Sequence, residues 1–144
     1  MKLMAKTLIA GLIISAGVAF AETEATDANV IARQALMKTI GMNTKTLGDM
    51  AGGKADFDAA AAEAAKAAII AASAEIGAKF ETQAADPGTE AKPEIWTNWD
   101  DFVKKGQALN AAATALDASS LDSVKAGMGA IGGACKDCHT SYRL

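Results

Sequence analysis

Two cysteines and a histidine lie within five residues of one another near the end of the chain, as Cys135-Lys136-Asp137-Cys138-His139. They are the only cysteines and the only histidine in the sequence. The spacing C-x-x-C-H is the attachment signature of c-type haem, in which each thiol adds to a haem vinyl group and the adjacent histidine binds the iron. The sequence therefore predicts one covalent haem c on Cys135 and Cys138, with His139 as the proximal iron ligand.

Other chemistry at this motif is disfavoured by the ligands that the chain offers. A structural zinc site needs four protein ligands, and the motif supplies three. A thioredoxin-like redox pair is expected in a βαβ setting, which the sequence does not predict. A disulfide across two residues would close too small a loop to stabilise the fold much.

The group on the other face of the iron has to come from elsewhere in the chain. Haem iron is bound by histidine alone or by histidine with methionine, and no second histidine exists. The methionines after residue 21 are Met37, Met42, Met50 and Met128. Met128 shares a predicted helix with His139, and Met50 falls at the end of its helix. Met37 and Met42 remain open, and Met37 sits mid-helix.

Met37 follows Arg33 by four residues, so the two side chains share one helix face. That face could offer a thioether to the iron and a guanidinium to a haem propionate. The residue pattern alone instead favours Met37 as an ordinary core methionine, because methionine is a common gap-filler in helical cores.

Helical periodicity predicts the elements that position these groups. An Ala-rich sequence with two prolines, both in one short stretch, favours helix. Helices are predicted over residues 27–50, 56–80 and 93–116, and a fourth begins after an N-cap at Ser119 and ends near Tyr142. The fold class is therefore all-α, an antiparallel four-helix bundle with covalently bound haem. Four glycines weaken the fourth helix, and close approach of a flat ring is one use for them; they are Gly127, Gly129, Gly132 and Gly133.

The N-terminus has the layout of a secretory signal peptide. Lys2 and Lys6 precede an apolar run that ends in Ala-Phe-Ala at 19–21, a small-x-small cleavage pattern. We expect residues 1–21 to be cleaved, leaving a single domain over 22–144 in the periplasm with no membrane association. The formal net charge then changes from −3 to −5, and no Lys/Arg block is present, so nucleic acid is not expected as a partner.

The sequence from helix one to the C-terminus resembles the class II c-type cytochromes, the cytochrome c′ family. The matching features are Arg33-Gln34-Ala35, the Pro-Glu-Ile-Trp run at 93–96, and the C-terminal Cys-Lys-Asp-Cys-His-x-x-Tyr-Arg. High-spin members of that family carry Leu, Tyr or Phe four residues after the arginine. The low-spin branch carries an iron-ligating methionine there, so the resemblance implies that Met37 is the distal ligand.

The resemblance also implies contacts around the haem. Arg33 and Gln34 match residues that approach the haem and its propionates, and Glu90 matches a loop position near the haem edge. Arg143 matches an arginine close to the axial histidine. Trp96 and Trp99 are instead expected to pack in the core.

Two functions compete at this point. A haem with His139 and Met37 as ligands predicts a periplasmic electron carrier that meets its redox partner proteins transiently. The alternative is a five-coordinate, high-spin cytochrome c′ that binds nitric oxide or carbon monoxide. Enzymatic activity is not expected, because a peroxidase would need a distal acid/base group. The family resemblance further implies that two copies can pair as a homodimer.

Overall fold

The computed structural model describes residues 24–144, so the predicted signal peptide at 1–21 lies outside the described residues. Six helices occur over that range. They are α1 (Ala28–Ala51), α2 (Ala59–Ala74), α3 (Ile76–Phe80), α4 (Glu94–Thr97), α5 (Trp99–Ala115) and α6 (Leu121–Tyr142). No helix within residues 24–144 is long and apolar enough to cross a membrane.

The four long helices pack as a ring in the order α1, α2, α5 and α6, with α6 returning to α1. Contacts between α2 and α5 show their direction. Asn110 Nδ2 donates to the Ile70 carbonyl at 2.8 Å, whereas Gly106, one turn earlier on α5, packs on Ile76, which lies later in the chain. Neighbouring helices are thus antiparallel, and the predicted four-helix bundle is confirmed.

Side-chain caps start three of the long helices. Asp27 accepts from the amides of Asn29 and Val30 at the start of α1, and Asp58 caps α2 through the amide of Ala61. Such caps satisfy amides that have no partner inside the helix.

The cap of α6 lies one residue later than predicted. Ser120, not Ser119, accepts from the Ser123 amide at 3.2 Å. Ser119 is held in the preceding turn because its amide donates to Asp117 Oδ1 at 2.9 Å. The predicted N-cap was therefore wrong by one position.

Two of the predicted helices are interrupted. The helix predicted over 56–80 breaks at Glu75, whose amide donates to the Ala72 carbonyl at 3.0 Å in a tighter turn than an α-helix makes. Just before this break, the Ile70 carbonyl accepts bonds from Ser73 Oγ and Asn110 Nδ2. The helix predicted over 93–116 breaks at Asn98. Asparagine has a low helix propensity, because its side chain can hydrogen-bond nearby backbone groups in non-helical conformations.

The core runs along the bundle axis and includes a cluster of aromatic rings near one end. Phe102 lies at its centre, 5.1 Å from Phe80, 5.7 Å from Trp99 and 5.4 Å from Tyr142 between ring centroids. Trp96 packs beside this cluster, and its Nε1 donates to the Phe80 carbonyl at 2.8 Å. Both tryptophans thus pack against the core, as the sequence predicted.

A buried carboxylate fixes the loop between α3 and α4. Asp86 Oδ2 accepts from the amides of Thr26 and Asp27, each at 2.8 Å, and Asp86 Oδ1 accepts from the Gly88 amide at 2.7 Å. These backbone hydrogen bonds lower the pKa of Asp86 to about 2. The loop is thereby fixed to the start of α1, and its next residues reach the end of α6.

Backbone pairing joins the same loop to the C-terminus. The Lys92 amide donates to the Tyr142 carbonyl and the Leu144 amide donates to the Glu90 carbonyl, each at 2.9 Å. Glu90 and its neighbours are therefore held against the end of α6.

Candidate haem site

A cavity of about 530 Å³ lies between α1, α5 and α6 at the end of the bundle where α1 begins and α6 ends. Its volume falls within the usual range for pockets that hold small molecules and cofactors. Its wall contains every residue that the sequence predicted for the site. These are Arg33, Gln34, Met37, Glu90, Cys135, Cys138 and His139, together with Arg143.

The attachment motif occupies the last two turns of α6. Cys135 and Cys138 are three residues apart, so their side chains share the helix face that lines the cavity. Both are free thiols and are half-buried. Burial raises the pKa of Cys135, and it raises the pKa of Cys138 to about 11. Both groups are therefore neutral thiols at neutral pH, facing the space that a haem would fill.

The His139 imidazole lies at the cavity wall next to the two cysteines. Burial lowers its pKa, the positive charge of Arg143 lowers it further, and Glu90 opposes this effect. The lowered pKa favours the neutral imidazole, which is the form that binds metal ions. The set of two thiols and a neutral imidazole fits a covalent haem c.

Among residues 24–144, Met37 is the one methionine that lines the cavity. Met42 is 54% exposed on the outside of α1, and Met50 is buried in the core. Met128 on α6 packs towards α1, its Cε 3.8 Å from the position of a β-carbon on Gly48. The thioether of Met37 is therefore the one placed to meet a group bound in the cavity.

Arg33 is the most buried of the predicted polar residues, with 3% of its surface exposed. Its Nε donates to the Lys79 carbonyl at 3.0 Å, and its Nη2 donates to the Thr82 carbonyl. Its Nη1 is buried and has no hydrogen-bond partner among residues 24–144. A propionate that enters the cavity from this side would supply the missing acceptor, so this residue fits haem as well.

Gln34 and Glu90 line the cavity near its mouth and have protein partners there. Gln34 Nε2 donates to the Gly88 carbonyl at 3.0 Å. Glu90 Oε2 lies 2.7 Å from Arg143 Nη2 and accepts from Arg143 Nε at 2.8 Å. Both residues therefore fix the loop against α1 and α6 at the edge of the site.

The sequence prediction missed the wall that α5 contributes. Phe102, Lys105, Gly106 and Leu109 all line the cavity. Their spacing of three and four residues places them on one helix face. This spacing is the sequence feature from which the α5 wall of the cavity could have been predicted. Lys105 also contacts the attachment motif, with its Nζ 2.5 Å from Asp137 Oδ2.

The glycines that weaken α6 do not line the cavity, so their predicted use for close approach of a ring was wrong. Gly127 instead packs closely against the side chain of Leu116. A β-carbon on Gly129, Gly132 or Gly133 would have no neighbour within 4 Å among the described residues.

Comparison with known proteins agrees with this fold. The sequence model of the family described as Cytochrome C' matches residues 28–143, and the chain belongs to the cytochrome c′ family. It is therefore a haem protein of the electron-transfer and haem-binding type, with one covalent haem c.

Among curated relatives, cytochrome c' of Rhodopseudomonas palustris is 34% identical over 146 residues, covering 99% of this chain and 97% of that protein. Cytochrome c-556 of Agrobacterium fabrum is 34% identical over 146 residues, covering 96% and 95%.

Solved structures show the same bundle. A cytochrome c' from Rhodobacter "Spheriodes" superposes with a TM-score of 0.73 at 30% identity, covering 83% of this chain and 98% of that one. A variant of cytochrome c prime from Alcaligenes xylosoxidans, solved as its nitric oxide complex, gives 0.71 at 31% identity, covering 80% and 92%.

Proposed function

We propose that this protein is a periplasmic electron carrier of the low-spin branch of its family, with His139 and Met37 as the two axial ligands of the haem iron. The placement of Met37 carries the proposal, because it is the one methionine between residues 24 and 144 on the cavity wall.

The other cavity residues have roles that follow from their chemistry. Cys135 and Cys138 hold the haem through two thioether bonds, so the cofactor stays attached when an axial bond breaks. The haem supplies one-electron chemistry, with the iron alternating between the ferric and ferrous states. Arg33 donates from Nη1 to a propionate, and Gln34 and Glu90 keep the loop closed over the haem edge. We assign no catalytic step to the chain.

The periplasmic location follows from the expected signal peptide at 1–21. A carrier of this kind meets its donor and acceptor proteins transiently at the mouth of the cavity. Fractionation of cells that express the full chain tests the location: covalent haem should appear in the periplasmic fraction on a protein about 21 residues shorter than the full chain.

The exposed side of α1 supports a homodimer. Ile31 is 48% exposed and Met42 54% exposed, and they lie about three turns apart on the same face. Pairing of this face with a second copy would bury both side chains. Sedimentation velocity tests this: the wild type should sediment as a dimer, and Ile31→Lys combined with Met42→Lys should give a monomer. A monomeric wild type would contradict the dimer.

The optical and EPR spectra of the holoprotein test the axial ligands. We expect a low-spin ferric spectrum at neutral pH. Replacing Met37 with Leu removes the thioether while nearly preserving volume, so the spectrum should become high-spin. Met37→Ala should in addition open the site to carbon monoxide. Met42→Leu is the matched control and should leave the spectrum unchanged. A high-spin wild type would rule out Met37 as ligand.

Binding of nitric oxide or carbon monoxide is the second candidate function. The nitric oxide complex of the Alcaligenes xylosoxidans variant is the observation that favours it. It requires that Met37 leave the iron or never bind it. Titration of the ferrous wild type with carbon monoxide or nitric oxide separates the two functions. Rapid and saturable binding, with no low-spin ligand displaced, would favour a gas-binding function over electron transfer.

A further inference from the structure

Lys105 brings a positive charge to the haem cavity from a helix that carries none of the attachment residues. It lies on α5 and lines the cavity. Its Nζ is 2.5 Å from Asp137 Oδ2 and 3.9 Å from Asp101 Oδ2. Asp137 stands between the two cysteines of the motif, so this ion pair joins α5 to the attachment turn of α6.

The two charges of this pair are unequally exposed. The Lys105 side chain is 18% exposed, whereas that of Asp137 is 66% exposed and does not line the cavity. Water and salt screen an exposed charge more than a partly buried one. The cation is therefore less screened from the cavity than either Asp137 or Asp101, whose side chains are 66% and 54% exposed.

Lys105 carries its positive charge at neutral pH. Its hydrogen bond to Asp137 raises its pKa above the ordinary lysine value, against the opposing effect of burial.

We propose that Lys105 raises the reduction potential of the haem and that Asp137 attenuates this effect. Reduction adds one electron to the ferric haem and takes up no proton in this scheme, so the charge in the cavity becomes more negative by one. A cation at the wall stabilises the reduced form. The proposal rests on the haem being held in this cavity by Cys135 and Cys138, as proposed above, and is independent of whether Met37 binds the iron.

Four variants test the two charges separately. Lys105→Met removes the cation, Lys105→Arg keeps it, Asp137→Asn removes the anion, and the fourth combines Lys105→Met with Asp137→Asn. The matched controls are Lys104→Met and Asp100→Asn, which change exposed charges on α5 outside the cavity wall. Each protein is equilibrated with a redox dye at fixed ionic strength, and the ratio of reduced to oxidised haem is read from the absorption spectrum.

We expect Lys105→Met to lower the reduced-to-oxidised ratio by about three- to tenfold, the scale for a partly screened unit charge near the haem. Asp137→Asn should raise the ratio, and by less if the neighbouring Asp101 takes over the pairing. Lys105→Arg should stay within about twofold of the wild type, and the double variant should fall between the two single variants. The controls should leave the ratio nearly unchanged.

A purely structural role for the ion pair predicts a different pattern, because breaking the pair from either side would then shift the ratio in the same direction. Shifts of the same sign in Lys105→Met and Asp137→Asn, or no shift in either, would overturn the proposal. If Lys105→Met fails to retain haem, Asp137→Asn alone tests the proposal. A reduced-to-oxidised ratio of haem that is lowered or unchanged in Asp137→Asn would then overturn it.

The absorption spectrum and the covalent haem content of each variant separate this result from the proposed function. A haem that is absent in every variant and in the wild type would contradict the attachment itself. A high-spin wild type would contradict Met37 as ligand, yet leave the opposite shifts of Lys105→Met and Asp137→Asn still measurable.

Discussion

The guanidinium of Arg33 lies over the indole ring of Trp96, with the guanidinium carbon 5.2 Å from the ring centroid. The same guanidinium lies 5.0 Å from the ring of Phe80 and donates to the carbonyls of Lys79 and Thr82. Arg33 thus holds the end of α3 against α1, and its remaining nitrogen, Nη1, is buried without a hydrogen-bond partner among residues 24–144. Arg33 was predicted only as a haem contact, but it also joins α1 to α3 and the residues after it at this end of the bundle.

Arg33→Met should therefore destabilise the protein even though methionine retains much of the apolar volume. Loss of two charged hydrogen bonds and of the packing of the guanidinium on two aromatic rings should lower the free energy of unfolding by about 2–4 kcal/mol. Urea denaturation of the holoprotein, followed by circular dichroism, measures this value. Lys38→Met, on the exposed side of the same helix, is the control and should change it by less than about 0.5 kcal/mol. Equal stability of the two variants would show that the Arg33 contacts contribute little.

Local signals explain what the sequence could predict. The C-x-x-C-H spacing and the helix periods involve residues within a few turns, so the attachment motif and the bundle were predicted from local pattern. The spacing of Arg33 and Met37 indicated a shared helix face, but the family resemblance was needed to assign that face to the haem. The partners of Arg33 are 46 and 49 residues away in the chain, and no local pattern reveals them. The break at Glu75 lies just after Ile70, whose carbonyl accepts a hydrogen bond from Asn110, 40 residues later in the chain. No local sequence pattern indicates this contact either.

Gly127 on α6 packs against the buried side chain of Leu116, so closely that a β-carbon there would overlap Leu116 Cδ1 and lie 3.5 Å from Cγ. Gly127→Ala should therefore overpack this contact at a cost of about 1–3 kcal/mol, which outweighs the gain of about 1 kcal/mol in helix propensity. We expect a net loss of about 1 kcal/mol, measured by thermal or urea unfolding.

Gly129→Ala is the matched control on the same helix. A β-carbon at Gly129 would meet nothing within 4 Å among the described residues, so only the propensity gain of about 0.5–1 kcal/mol applies. The two substitutions should therefore shift stability in opposite directions. If Gly127→Ala proved as stable as Gly129→Ala, Leu116 would have to move away at little cost.

Asp86 makes the stability depend on pH in acid. Its pKa is about 2 in the folded protein, below the ordinary value of 3.8, because backbone amides donate to its carboxylate. Between these two values the unfolded chain binds more protons than the folded one, so stability rises with pH. The contribution of Asp86 is present above about pH 4 and is lost as the pH falls towards 2.

Asp86→Asn should isolate this contribution. The variant should melt at a lower temperature than the wild type at pH 6, because an amide cannot accept at both positions that the carboxylate uses. The difference in melting temperature should shrink as the pH is lowered from 4 to 2, since protonation of Asp86 in the unfolded wild-type chain then offsets the stabilisation by its carboxylate. Asp100→Asn, which changes an exposed carboxylate, serves as the control. A difference that is the same at pH 6 and pH 2.5 would mean that the charge of Asp86 is not what stabilises the loop.

Removal of the haem is expected to loosen the whole haem end of the bundle. Cys135→Ala combined with Cys138→Ala leaves no thiol for attachment, so the protein should lose its covalent haem stain on a denaturing gel. The space of about 530 Å³ that the haem would fill is lined by core residues of several helices, so its loss leaves those side chains without a packing partner. The haem end of the bundle should therefore not keep its fixed packing. We expect far-ultraviolet circular dichroism to be retained, near-ultraviolet signals to be lost and an apolar dye to bind.

Cys135→Ala alone should keep one thioether bond, the haem and a cooperative melt. A haem-free double variant that still melted cooperatively at the wild-type temperature would show that the bundle does not need the haem as part of its core.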